Sequence, residues 1–162
     1  MALTEYKVML ISPELDKTKD LLNKLLKGTN GEDGLTIAIK AYATEMSLMT
    51  GMPEHLFVPQ EHPICVAFTD DFRVFGFIVV GADSSTKTLC TEHVYVRPEV
   101  RHKGVYKLMM KRVEKLAKDI KFERIVSFVF DCNDTSKKAH KKQGFKRKMV
   151  GYVKEIEYEN KD

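Results

Sequence analysis

The stretch that most constrains the fold is residues 88–130, where the hydrophobic period changes twice. Thr88–Val96 alternates as a strand does, and Pro98 ends it. From His102 onward the apolar residues recur at helical spacing. Val105, Leu108, Met109, Val113, Leu116 and Ile120 fall on one stripe. Arg124–Phe130 then reads as a buried strand. A strand, an amphipathic helix and a second strand close as a parallel pair with a right-handed crossover. All-helical and all-β architectures are thereby excluded.

The flanking segments complete a sheet. Tyr6–Ile11 alternates loosely and predicts a first strand. Ser12-Pro13-Glu14 predicts a helix start; Leu15, Leu21, Leu22, Leu25 and Leu26 follow at roughly helical spacing, and Gly28 stops the run. A second helix is predicted over Leu35–Met49, ended by Gly51-Met52-Pro53. His62–Thr69 and Arg73–Val80 flank Asp70-Asp71 as a hairpin, and Gly81–Lys87 reads as a polar connection. Downstream, Asn133 is placed to cap a short helix running to Gln143, with Gly144 after its end. Phe145–Tyr158 predicts one or two closing strands bent at Gly151. The order β-α-α-β-β-β-α-β-α-β-β implies a single α/β domain over residues 1–162. Its mixed sheet is mostly antiparallel with one parallel pair. Simple alternation puts Cys90, Glu92, Val94 and Val96 on one face of the 88–96 strand, and Thr91, His93 and Tyr95 on the other.

Composition narrows the function classes. The chain has 162 residues, 43% hydrophobic and 31% charged, the balance of a folded globular domain. No apolar run approaches the ~20 residues of a membrane span. The start carries no apolar leader, so a cytoplasmic location is expected. Three widely spaced cysteines argue against a disulfide framework. His62-x-x-Cys65 stands alone, and zinc wants three or four ligands, so no metal is expected. Charge is uneven. The net is +4, but residues 101–150 hold 16 Lys/Arg against 5 Asp/Glu, while residues 1–100 hold 9 against 14. The basic third should meet a nucleotide phosphate, a nucleic acid or only solvent. No helix-turn-helix, zinc or RNP-type motif is present, which argues against nucleic acid.

The chemistry concentrates where the 88–96 strand passes through a basic turn into a helix. The first turn of a helix leaves N–H groups unpaired and carries partial positive charge. Gly104 allows close approach to the backbone, and Arg101 and Lys103 add charge. Such a turn can hold a pyrophosphate or be a solvated basic loop. It lacks the Gly-Lys-Ser/Thr of a Walker loop and the three glycines of a dinucleotide fingerprint.

The run Val96-Arg97-Pro98-Glu99-Val100-Arg101-His102-Lys103-Gly104-Val105-Tyr106 resembles the acetyl-CoA-binding motif of the GNAT superfamily of N-acetyltransferases. The family turn Arg/Gln-x-x-Gly-x-Gly/Ala is matched by Arg101, His102, Lys103, Gly104 and Val105, with Tyr106 where Gly or Ala is usual. A second family pattern is an Asn, a Tyr seven residues on, then Gly-Phe. It is matched by Asn133 and Gly144-Phe145, with His140 in place of the Tyr.

The resemblance implies a sheet splayed at its parallel pair, with helices on both faces. Acetyl-CoA would lie between the strands ending at Val96 and Phe130. Its pantetheine would pair with the backbone around Val94, Tyr95 and Val96, and its pyrophosphate with residues 102–106. Asn133 would bind the cofactor or cap its helix. Lys137, Lys138, Lys141 and Lys142 are candidates for the ribose phosphate. The acceptor would be a primary amine on a small molecule or protein. Glu92 is the candidate base, with His93 a lesser one, and His140 the candidate acid toward the leaving thiolate. Met46, Met49, Met52, Leu56 and Phe57 would wall the acceptor site, and Glu45, Glu54 and Glu61 could attract a cation. The departures at Tyr106 and His140 motivate an alternative: a catalytically weakened CoA-binding or partner-binding module. A homodimer is left open.

Overall fold

A computed structural model describes residues 5–12, 16–59, 64–152 and 154. Five strands form one sheet in the order β1-β2-β3-β4-β5: β1 (Lys7–Ile11), β2 (Ile64–Phe68), β3 (Val74–Asp83), β4 (Thr88–Val96) and β5 (Arg124–Ser127). The first four pair antiparallel, and β4 pairs parallel with β5. The helices are α1 (Asp16–Lys27), α2 (Leu35–Thr50), α3 (Val105–Asp119) and α4 (Asp134–Lys142). This is the mixed α/β sheet expected, and the crossover through α3 supplies its one parallel pair.

Two cores sandwich the sheet. On one face, Leu25 of α1 and Leu35, Ala38, Tyr42, Ala43 and Met46 of α2 pack on Val66, Phe77, Val79 and Tyr95. On the other, α3 buries Val105, Met109, Met110, Val113 and Ala117 against Cys65, Ala67, Ile78, Val80 and Leu89. β3 is buried on both faces from Val74 to Gly81, which is why it reads as a continuous apolar run. Gly76 lets α3 approach. A Cβ there would stand 2.7 Å from the Tyr95 carbonyl oxygen and 3.0 Å from Met109 Cε.

Several boundaries differ from the sequence reading. β3 runs on through Asp83, so the polar connection shortens. The β2–β3 loop is longer than two residues: Thr69 N–H bonds the Arg73 carbonyl, and Phe72 takes the left-handed conformation (φ 64°). β5 stops at Ser127 rather than Phe130, because β4 leaves it there. Residues 145–152 and 154 form no strand. Residues 146–152 are exposed throughout, so their apolar members find no core face to bury. The remainder of the predicted closing strands, to Tyr158, lies outside the described residues, as do Pro13, Glu14, Leu15, Glu61 and His62.

Candidate active site

The site begins at a register break. Val79 pairs with His93 but Val80 with Thr91, which leaves Glu92 as an extra residue, a bulge in β4. The bulge shifts the alternation. Partners in register share a face, so Leu89 and Thr91 lie with Val94 and Val96, and Cys90 lies with His93 and Tyr95. The predicted grouping of Cys90 and Glu92 with Val94 and Val96 is therefore corrected. Glu92 is exposed on the bulge.

At the same level the sheet forks. The last parallel partners are Thr91 and Ser127, and beyond them β4 has no neighbour on that side among the described residues. The Arg97 N–H bonds the Phe75 carbonyl on β3 (2.8 Å). Strand peptides alternate in direction, so the N–H and C=O of Val94 and Val96 point into the fork. The Val96 carbonyl accepts from Arg101 Nε (2.9 Å). The Tyr95 side chain turns the other way and packs on Tyr42 and Phe77.

The fork opens into a cleft of ≈ 380 Å³. Tyr42, Met46, Met52, Leu56, Phe57 and Phe130 give it an apolar wall, and Glu92, His93, Ser127, Asn133 and His140 give it polar groups. Alternation assigned Glu92 and His93 to opposite faces; both line this cleft, with His93 Nδ1 3.0 Å from the Tyr42 hydroxyl. Of the expected acceptor wall, Met49 is not among the lining residues, and two of the three candidate carboxylates are engaged. Glu54 accepts from Thr44 Oγ1 (2.9 Å), and Glu45 from Arg101.

At the C-terminal end of β4, the turn leads into α3. Gly104 precedes the helix in the left-handed conformation (φ 85°), and no side chain caps it. The first intrahelical bond is Leu108 N–H to the Gly104 carbonyl, so the N–H groups of Val105, Tyr106 and Lys107 remain without helical partners. His102 and Lys103 are exposed beside them. Arg101, expected to add its charge to the turn for a ligand phosphate, is paired with a carboxylate of α2. Its Nη2 grips both Glu45 oxygens (3.0 and 2.8 Å). The bulk of Tyr106 turns away from the phosphate turn. Its ring joins the α3-side core and lies 5.6 Å from the His140 ring.

α4 starts at Asn133, whose Oδ1 accepts from Ser136 N–H (3.0 Å) as the sequence suggested. His140 is 7% exposed, not a surface residue. Its Nδ1 faces the Ser136 carbonyl at 2.7 Å and its Nε2 faces Ser127 Oγ at 2.6 Å. Burial holds its pKa below the ordinary imidazole value, against the raising effect of the Ser136 bond. Both ring nitrogens are occupied, and the Ser127 hydroxyl that Nε2 faces also lines the cleft. Sequence reasoning missed Ser127; its one signal was a lone Ser within an apolar strand run. Among the lysine candidates, Lys137 is paired with Asp131 and Asp134, while Lys138, Lys141 and Lys142 are exposed. Among the described residues no group of three His, Cys, Asp or Glu is placed to hold a metal ion, and no helix is long and apolar enough to cross a membrane.

Solved structures share this architecture. A ribosomal-protein-alanine N-acetyltransferase from Brucella melitensis biovar Abortus 2308 superposes with a TM-score of 0.63 at 15% identity, covering 94% of this chain and 100% of that one. An aminoglycoside acetyltransferase from an uncultured soil metagenomic sample, in complex with sisomicin, gives 0.61 at 12% identity, covering 94% and 97%. An aminoglycoside N-acetyltransferase in complex with CoA gives 0.57 at 18% identity, covering 94% and 96%. At these identities the likeness is one of fold. No curated protein matches the sequence. The family model described as Acetyltransferase (GNAT) family matches residues 35–145, more than half of the chain, and the protein belongs to that family.

Proposed function

We propose that this protein is a cytoplasmic, acetyl-CoA-dependent N-acetyltransferase in which a primary amine attacks the thioester directly. The observation that carries the reading is the fork itself. β4 and β5 part after Thr91 and Ser127, and the Val94 peptide groups face the gap. An uncapped helix N-terminus stands at the end of the same strand. A pantetheine amide can pair with the open edge as an added strand would, and a pyrophosphate suits the α3 N–H groups. Names among the structures of like fold support it: one is a complex with CoA, and others are acetyltransferases of aminoglycosides and of a ribosomal-protein alanine.

An ammonium with pKa ~10.4 must lose its proton before it attacks. Glu92, on the bulge at the cleft wall, is the candidate acceptor of that proton. Exposure there lets solvent carry the proton away. The apolar wall of Met46, Met52, Leu56 and Phe57 excludes water from the carbon chain of the acceptor.

Titration calorimetry with acetyl-CoA, and with 3′-dephospho-CoA for comparison, tests the reading. One-to-one micromolar binding is expected, weaker without the 3′-phosphate, followed by amine-dependent release of CoA across a panel of primary amines. Binding without turnover on any amine favours a CoA- or partner-binding module. The occupied ring nitrogens of His140 are the observation in that module's favour. Absence of binding refutes the acetyl-CoA-dependent transferase and the CoA-binding module, and a partner-binding module then leads.

A further inference from the structure

A second chemistry is built beneath the fork. The Ser136 carbonyl can only accept, so His140 Nδ1 donates to it across 2.7 Å and carries the ring proton. The Ser136 hydroxyl lies 3.2 Å from the same nitrogen. In the neutral ring the Nε2 lone pair therefore faces Ser127 Oγ at 2.6 Å, and the serine donates its proton into the imidazole. Nucleophile, base and a fixed acceptor that orients the base are the parts that activate a serine. Burial favours the neutral, proton-accepting imidazole. Ser127 is only half-buried and stands in the cleft wall. Directly opposite in register is Thr91, 1% exposed and lining the same cleft, whose Oγ1 has no hydrogen-bond partner among the described residues. A buried hydroxyl left unpaired is costly, and a ligand atom that reached it beside Ser127 would supply the missing partner.

We propose that Ser127 is an acyl acceptor and that this protein hydrolyses acyl-CoA thioesters through an acyl-serine, with no amine required. Ser127 Oγ attacks the acyl carbon while its proton passes to His140 Nε2, and the resulting oxyanion accepts from the Thr91 hydroxyl. The C–S bond then breaks, and the departing thiolate takes the proton from His140. An ester on Ser127 remains. Water attacks that ester, giving a proton to His140. The ester C–O bond breaks, Ser127 recovers the proton, and the acid is released. Thioester and water become acid and thiol, with no oxidant, reductant or metal consumed. This inference rests on the reading that an acyl-CoA occupies the cleft.

The test uses the full chain with acetyl-CoA alone. Three signals are followed: binding by calorimetry, free thiol by a chromogenic thiol reagent, and protein mass by intact mass spectrometry with peptide mapping. The expected result is slow, amine-independent thiol release and a mass gain of one acetyl group mapped to Ser127. Ser127→Ala lowers thiol release by about tenfold or more. Ser127→Cys keeps a nucleophile in place and accumulates an acetyl group at that position, removable with hydroxylamine. If acetyl-CoA binds but the wild type carries no acetyl group, thiol release is unchanged in Ser127→Ala, and Ser127→Cys stays unmodified, the acyl-serine is overturned and the transferase reading stands. If acetyl-CoA does not bind, both fall.

Discussion

Replacing Tyr106 by Phe should make this protein more stable. The ring packs with the α3-side core and against His140, but its hydroxyl is buried with no hydrogen-bond partner among the described residues. Desolvation accordingly pushes the phenol pKa upward, with a smaller push from the Glu114 charge. Leaving such a hydroxyl unpaired costs about 1–3 kcal/mol. Phe keeps the ring, so the apolar contacts and the tilted packing on His140 survive. The ring is only partly buried, so the lower end applies: a gain of about 1 kcal/mol, or a Tm rise of about 2–4 °C for a chain of this size. Differential scanning calorimetry and urea titration both read it. Acetyl-CoA affinity should stay within about threefold, since the side chain turns away from the phosphate turn. A Tm drop of similar size would refute the reasoning, because it would mean that the hydroxyl is bonded in solution. A large loss of affinity would show that Tyr106 faces the ligand.

Val94→Pro removes an N–H that faces the fork rather than β3, so the ladder survives while acetyl-CoA binding falls by about tenfold; calorimetry beside a thermal melt separates the two. Arg101→Ala breaks the part-exposed grip on Glu45 and the bond to the Val96 carbonyl. It should cost about 1 kcal/mol of stability by urea titration, yet leave the salt dependence of acetyl-CoA binding unchanged, because that guanidinium is already paired. His140 has a folded pKa below its unfolded value, so its contribution is complete above about pH 6.5 and is lost as pH falls through the lowered value. His140→Gln should flatten that acid limb in a plot of Tm against pH.

Much of the fold was legible because it is written in periods. The α3 stripe, the apolar run of β3 and the Gly51 and Asn133 helix ends each follow from side-chain spacing or a local backbone need. The turn at Arg101–Tyr106 and the Asn133…Gly144-Phe145 spacing were likewise readable, since both are local patterns. What alternation could not supply was the bulge at Glu92. A bulge is a mismatch between two strands, and only the partner strand records it. One inserted residue moved Thr91 onto the face of Val94 and brought Glu92 and His93 to one cleft. The strand expected over 145–152 is absent for a related reason: alternation makes a strand only where a neighbour and a core face await it.

That a strand feeds a glycine-bearing basic turn and an amphipathic helix is written in local spacing, because those preferences are settled within a few residues. Which charges and hydroxyls that framework uses depends on long-range packing. Arg101 is spent on Glu45, 56 residues away in sequence, and His140 is turned inward onto Ser127 across 13. Pairing between distant side chains depends on how the helices dock on the sheet. No spacing along the chain encodes that distance.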